Sequence, residues 1–466
     1  MTDEASVNRQ RIVDLQGFGN WVDDPVFSAL RQALSCRRHE TLSLLELFGG
    51  LSSGSIAALC LGFTNTVQSG YVDIETGLLR FIRRLHGLEF IEKNCSRDVM
   101  SLSLDELPQV DLLLAGPPCP PWSKQGVRKS WNDPRSKPFF RTLEIIAHLA
   151  RRGLKSFIIE NVIGFMQMQS DGIKPVDTVL KELRDTLPAG WEVDVHIYDS
   201  LDFCIPQSRP RAYVTGRKGC GACPPHIAKF HWRGKLSDII DFSASAPDGS
   251  KLLGVAGNGY SLTNQQNVLA YKMALRSDMF DPEMHNKVAC FAYDRTPSSR
   301  TRWNPDVNVE YSQCVTTHVP LHFLSLGTKC GLATGSAQCI DRAALVSEYG
   351  ALQGFPKWYL CDENDRLASV CAIGNAMSVP VLASVMAREL LHMFRIPMPD
   401  LSAAYSGPEA PIRTLGSHKL FIEIGITRIW FQCLCVFDSC FELVVWVNHV
   451  HWSYLRRSCM DCVLCK

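Results

Sequence analysis

A cysteine set between two pairs of prolines, in Gly116-Pro117-Pro118-Cys119-Pro120-Pro121-Trp122-Ser123, is the residue whose surroundings most suggest chemistry. It follows an apolar run, Val110 to Ala115, that reads as a buried strand. In an open parallel sheet, ligands bind beyond the carboxyl ends of the strands, so Cys119 stands at the active edge. Prolines fix the backbone around it, and a thiolate held rigidly is suited to attack an electrophilic ring. A lone cysteine in a turn is more often structural, but four flanking prolines at a strand end favour the nucleophile.

Three further groups of residues converge on the same edge. Ile158-Ile159-Glu160-Asn161-Val162 closes another short strand with a carboxylate, which can donate to a ring nitrogen if kept protonated. Gln207-Ser208-Arg209-Pro210-Arg211 places two arginines one residue apart before a strand at Ala212 to Thr215, able to hold an anionic or carbonyl-rich group. Phe48-Gly49-Gly50-Leu51-Ser52-Ser53-Gly54 links a strand to a helix through glycines that admit a ligand close to the backbone. Asp73, ending the next strand, is placed for ribose hydroxyls. The loop is neither the dinucleotide G-x-G-x-x-G nor a phosphate loop with its lysine. Each group has a plainer reading, as a tight turn, a solvated strand-end acid or a charged strand face. Their order and spacing carry the argument.

The elements that must position these residues follow from apolar periodicity. Strands are expected at Ser43 to Phe48, Val67 to Val72, Val110 to Ala115 and Ser156 to Ile159. Helices are expected after Ser52-Ser53 as potential N-caps, over Phe139 to Arg152 before Gly153, and from Val381 to Phe394. Alternation from about 43 to 216 argues for a parallel sheet wrapped by helices. The expected organisation is a polar lead-in over 1–40 without a clear motif and a catalytic domain over 41–216 completed by 346–398. A less regular Gly-, Pro- and aromatic-rich domain fills 217–345, and a divergent Cys-rich tail covers 399–466.

The chain has 466 residues, 46% hydrophobic and 20% charged, with a net charge of +1. That is ordinary globular composition, so a polyanion would have to meet a local basic patch. The arginines Arg295, Arg300 and Arg302, with Trp303, are candidates for such a patch. Nineteen cysteines, mostly scattered singly, suggest free thiols in a reducing compartment. The apolar stretch Leu420 to Phe437 is interrupted by Glu423, Arg428 and Gln432, and the amino terminus lacks a signal-peptide core, so a soluble protein is expected. Cys220 and Cys223 with His226 and His231 are compressed for a zinc knuckle, and Cys459, Cys462 and Cys465 form an incomplete set. Unliganded side chains are expected at both, and no metal.

From about Ser43 to Arg217, and again from about Thr316 to Leu391, the sequence resembles the cytosine C5 methyltransferase family. The cofactor loop matches Phe48 to Gly54, with Ser52-Ser53 in place of the common Gly-Gly, as in some animal de novo DNA methyltransferases. Pro-Cys falls on Cys119, Glu-Asn-Val on Glu160, and the paired arginines on Arg209 and Arg211. The family's acid and adenine-packing pair fall on Asp73 and Ile74, and its next aspartate on Asp98 beside Val99. Leu352 to Pro356 and Gly374 to Pro380 are similar to the closing motifs, the latter completing the cofactor pocket through Asn375 and Ala376. Pro-Pro-Trp-Ser departs from the family's usual Gln-Pro-Phe-Ser after the nucleophile, and Gln313 to Thr317 matches only dimly.

The resemblance implies a Rossmann-like α/β methyltransferase fold with a smaller target-recognition domain. Phe48, Gly50, Leu51, Ser53, Asp73, Ile74, Asp98, Val99, Asn375 and Ala376 would then bind S-adenosylmethionine. It also implies methyl transfer to C5 of a cytosine flipped from duplex DNA, and nuclear residence, although no basic import run is visible. The rivals are a tRNA methyltransferase of the same family, a silent regulator that binds a partner, and a dehydrogenase. Intact Cys119, Glu160, Arg209 and Arg211 argue against the second, and the loop pattern against the third. No protein partner can be inferred.

Overall fold

The protein, seen here in a computed structural model, is described for residues 3–122, 131, 133–167, 172–219, 224–244, 287–292, 307–317, 320–326, 340–360, 365–406, 419–424, 427–436, 440–447 and 450–456. Strands β1 (Leu42–Leu47), β2 (Thr66–Val72), β3 (Cys95–Ser96), β4 (Leu112–Ala115), β5 (Ser156–Val162), β6 (Trp191–Tyr198) and β7 (Arg211–Lys218) form one sheet in the order β3-β2-β1-β4-β5-β7-β6. The first five are parallel, with β1 paired to β2 on one side and β4 on the other. Strand order therefore reverses between β1 and β4, and the crevice beyond their carboxyl ends is where such sheets bind ligands.

The sheet is not wholly parallel, contrary to the expectation from alternation. β7 runs antiparallel to both β5 and β6. A parallel neighbour needs a crossover, usually a helix, whereas the link from Asp199 to Pro210 carries only a short 3₁₀ turn at Ser200–Phe203. β5 also extends beyond its apolar run, so Glu160 and Asn161 lie within it, and Arg211 opens β7 instead of preceding it.

Both faces of the sheet are covered, which is why its strands read as continuous apolar runs. Leu44, Leu112, Leu114 and Ile158 join one core, with helices α3 (Ser53–Cys60), α4 (Leu79–His86) and the long late helix Val379–Met393. Leu45, Leu47, Leu113, Ala115, Phe157 and Ile159 join the other, with α6 (Lys137–Arg151) and α7 (Pro175–Thr186); α5 (Leu88–Asn94) precedes β3. The lead-in belongs to the first core. Its helices α1 (Glu4–Val13) and α2 (Pro25–Leu34) bury Ile12, Phe27, Leu30 and Leu34, and the turn between them buries Trp21. Asp24 caps α2 by accepting the Val26 N–H at 2.9 Å, ahead of Pro25 at its first position.

After the single turn α8 (Leu236–Ile239), a small antiparallel sheet of β8 (Val288–Ala292), β9 (Val307–Val309), β10 (Leu321–Ser325) and β11 (Asp341–Ala343) is ordered β11-β10-β8-β9. The chain returns through α9 (Val346–Leu352), α10 (Arg366–Asn375) and α11 (Val379–Met393). α11 packs on α3 and α2. Its buried Glu389 takes Arg217 Nη2 at 2.8 Å, and Arg388 Nη2 reaches Asp194 at 2.8 Å, tying the helix to β7 and β6. Among the described residues, the stretch Arg366–Met393 is apolar enough to span a bilayer. Its most apolar window is 89% buried inside the protein, as α10 and α11 are core helices. Residues 406–466 form a separate unit, a meander of β12 (Lys419–Ile424), β13 (Thr427–Val436), β14 (Cys440–Val447) and β15 (Val450–Arg456), where the sequence showed no clear periodicity.

Candidate active site

The turn after β1 is wound tightly. Phe48, Gly50 and Ser52 all take left-handed backbone angles, with φ of 55°, 55° and 58°. Gly49 cannot carry a side chain, since a Cβ would lie 2.4 Å from Tyr71 Cε2. Tyr71 Oη donates to the Gly50 carbonyl at 2.6 Å, and Asp73 Oδ2 accepts the Gly50 N–H at 2.9 Å. Asp73 is thus placed on the loop itself, with its other oxygen taking the Glu75 N–H.

Ser52 and Ser53 do not cap α3 as expected. Glu46, inside β1, does so instead. Its carboxylate accepts the N–H groups of Gly54 at 3.2 Å and Ser55 at 3.0 Å, with the hydroxyls of Ser52 at 2.8 Å and Ser55 at 3.0 Å. Burial pushes this carboxyl above its usual range, and the four donors pull it down. Ser52 is left-handed and cannot present its oxygen to its own helix, which is why a strand residue replaces it.

Phe48, Gly50 and Ser53 line a cleft shared with Gly116, Glu160, Asn375 and Ala376. Ser53 Oγ donates to the Met377 carbonyl at 3.2 Å, closing the loop against the turn between α10 and α11. Five expected cofactor residues lie outside this lining, Asp73 among them. Leu51 is fully buried in the core, Val99 is buried, Ile74 is 79% exposed, and exposed Asp98 caps the turn at Val99–Ser101 through the Met100 N–H at 2.9 Å.

The loop carrying Cys119 is pinned to β5 by Asn161. Its Oδ1 accepts the Trp122 indole N–H at 2.7 Å and the Val162 N–H at 2.9 Å, while its Nδ2 donates to the Pro117 carbonyl at 3.1 Å. Trp122 is wholly buried among Trp131, Phe139 and Phe165. The departure from the family's usual phenylalanine therefore adds a hydrogen bond that phenylalanine lacks. Cys119 is partly exposed; burial and the neighbouring Glu160 carboxylate push its thiol above the ordinary range, with Arg211 and Arg209 pulling it back.

The two arginines have different surroundings. Arg209 is buried, and its guanidinium donates to the carbonyls of Val315 at 2.7 Å, Gly374 at 3.1 Å and Ala376 at 2.9 Å and to Cys314 Sγ at 3.3 Å. It joins three chain segments through their backbone carbonyls, a carbonyl-rich group of the protein itself, with its Nη–H groups all engaged. Arg211 Nε lies 3.1 Å from Glu160 Oε1, out of hydrogen-bonding line, so that buried oxygen lacks a hydrogen-bond partner among the described residues.

Sequence reasoning missed Glu46, Asn161, Gln207 and Cys314. Gln207 Nε2 donates to the Leu352 carbonyl and its Oε1 accepts the Val315 N–H, both at 2.6 Å. A buried carboxylate in an apolar strand was the available signal for Glu46; Cys314 offered none before its contacts were known. Arg295, Arg300, Arg302, Trp303, Cys220, Cys223, Cys459, Cys462 and Cys465 lie outside the described residues. His226 bonds Tyr198 Oη through Nδ1 at 2.6 Å and stacks on His196.

Among curated proteins, the chain is 27% identical over 175 residues to the type II methyltransferase M.FnuDI of Fusobacterium nucleatum, covering 38% of this chain and 46% of that one. It is 29% identical over 184 residues to the type II methyltransferase M.NgoBV of Neisseria gonorrhoeae, covering 38% and 41%. The matched stretch is thus under half the length of either relative. The crystal structure of S. pombe Dnmt2 methyltransferase aligns with a TM-score of 0.48 at 18% identity, covering 76% of this chain and 99% of that one. The profile of the C-5 cytosine-specific DNA methylases matches residues 42–390, from the start of β1 to the last turn of α11. The chain belongs to the C-5 cytosine-specific DNA methylase family.

Proposed function

We propose that this protein methylates C5 of cytosine in DNA, with Cys119 as covalent nucleophile. The observation that carries the reading is that Asn161 pins the loop bearing Cys119 to β5, whose Glu160 lines the Gly-rich cleft 3.1 Å from Arg211 Nε. S-adenosylmethionine is the methyl donor of the family and supplies an electrophilic methyl group. The cleft fits such a group: a Cβ at Gly50 would meet nothing within 4 Å, and Asn375 is exposed there. Phe48, Gly50, Ser53, Asn375 and Ala376 would hold it; Asp73 would act by fixing Gly50.

Cytosine C5 is too weak a nucleophile to take a methyl group unaided. Addition of the Cys119 sulfur to C6 turns the ring into an enamine-like nucleophile, splitting one hard step into easier ones. Glu160, whose Oε1 lacks a hydrogen-bond partner among the described residues, would bond N3 and stabilise the charge developing there. C5 then gains the methyl group and loses its proton, and the sulfur–C6 bond breaks. The base must first leave the duplex stack, which costs about a few kcal/mol. The 217–345 region, with its small sheet, is proposed as the duplex seat. The matched relatives are bacterial, so they lend no support to nuclear residence.

The test is covalent trapping on duplex DNA containing 5-fluorocytosine. Fluorine at C5 cannot leave as a proton does, so wild-type protein with methyl donor is expected to stay attached. Cys119→Ala should give no adduct, whereas Glu160→Gln should slow trapping by about 10²–10⁴-fold. No adduct with wild type on DNA, or an adduct on fluorinated tRNA alone, overturns the reading.

A further inference from the structure

Cys314 lies outside the chemistry above, yet its contacts lead into it. The segment Tyr311–Val315 runs beside Pro206–Ser208. The Ser312 N–H donates to the Pro206 carbonyl at 2.7 Å, and the Ser208 N–H to the Ser312 carbonyl at 2.9 Å. This pairing, reinforced by Gln207, seats the Cys314 sulfur between two guanidinium groups, 3.3 Å from Arg209 Nη1 and 3.5 Å from Arg211 Nη2.

We propose that Cys314 is a positioning residue for Arg211, acting as an anionic sulfur that fixes the guanidinium facing Glu160 and Cys119. This rests on the function proposed above. Two largely buried cations side by side repel, and Arg209 cannot move away because three backbone carbonyls hold it. Arg211 has fewer anchors: Nη1 on its neighbour Pro210 at 2.9 Å, Nη2 on Cys314 and Nε beside Glu160. Removing the sulfur would take away the bond that Nη2 makes to Cys314 and leave the guanidinium free to turn. Although burial raises a thiol, the charges of Arg209 and Arg211 hold Cys314 below its usual range. With Cys314 negative, one anion sits between the two cations. Cys119 and Tyr213 are the other titratable groups coupled to Arg211 and to the Glu160–arginine cluster, respectively.

The consequence is a charge effect on the nucleophile that packing alone would not produce. Removing an anion from this cluster leaves more of the Arg211 field for Cys119, whose thiolate then forms at lower pH. The experiment is 5-fluorocytosine DNA trapping against pH with wild type, Cys314→Ser and Cys314→Ala, folding being checked by thermal unfolding. Cys314→Ser keeps an acceptor without the charge. It should hold the high-pH plateau within a few-fold of wild type while trapping at pH 7, relative to that plateau, rises about threefold or more. Cys314→Ala should show the same shift with a plateau at least about tenfold lower, at unchanged DNA affinity. Folded variants whose pH profiles superimpose on wild type overturn the proposal. A wild-type protein that never traps overturns the function instead.

Discussion

At the residue scale, the site depends on side chains that hold reactive groups still as much as on the reactive groups themselves. Asn161 is the clearest case, because one amide serves the Trp122 indole, the Pro117 carbonyl and the Val162 N–H. Asn161→Ala would strand a buried indole N–H and a loop carbonyl, at about 1–3 kcal/mol for an unsatisfied buried group. Trp122→Phe removes only one donor and leaves Asn161 Oδ1 its bond to Val162. Urea unfolding of the two single variants and the double variant should show coupling of about 0.5–3 kcal/mol, with Asn161→Ala the more damaging to trapping. Strict additivity would mean that the indole bond does not hold the loop. Cys119, Glu160 and the paired arginines were legible because strand ends and proline spacing point to one edge. Asn161 and Cys314 were not, because their roles come from partners 39 and 103–105 residues away in sequence.

At the scale of elements, the apolar runs of β1, β4 and β5 and the period of α6 and α11 were readable because each buries two sheet faces or a wide stripe. The reversed direction of β7 was not, since a strand's sequence does not state its sense; only the absence of a helix between Asp199 and Pro210 hints at it. Close approaches between elements were equally hidden. Gly374, at the end of α10, is a contact of that kind: a Cβ there would lie 2.5 Å from the Thr316 carbonyl carbon and 2.6 Å from the Thr317 nitrogen. Backbone cannot yield as a flexible side chain does, so Gly374→Ala must separate α10 from the 314–317 segment. Arg209 bonds both, through the Gly374 and Val315 carbonyls. The expected result is a folded protein with at least about tenfold slower trapping, since a misplacement of 1 Å can cost about 10²-fold. A thermal midpoint and trapping rate equal to wild type would show that the two segments adjust freely.

At the scale of the molecule, the lead-in that reads as a polar preface is part of the core, and it meets the cofactor loop near one half-buried imidazole. His86, at the end of α4, stacks on Phe90 with ring centroids 4.7 Å apart and lies 3.3 Å from Ser52 Oγ, the hydroxyl that bonds Glu46. Asn8 of α1 donates to the Arg84 carbonyl at 3.0 Å in the same helix. Burial, with the charge of Arg9, lowers His86 from 6.5 to about 3, so it stays neutral in the folded protein at any moderate pH. His226, lowered to about 4 by burial and by Arg388, behaves likewise. The unfolded chain gains these protons as pH falls through about 6.5, while the folded chain resists until about 4 and then about 3. Over that window the unfolded state binds more protons, so stability rises with pH and is lost on acidification. The urea midpoint of the wild type should therefore fall between pH 6.5 and 4. His86→Gln should flatten part of that slope, leaving the share that His226 contributes. If His86→Gln and wild type lose stability in parallel, the imidazole between the lead-in and the cofactor loop takes up its proton as readily folded as unfolded, and the coupling between those two parts does not run through its burial.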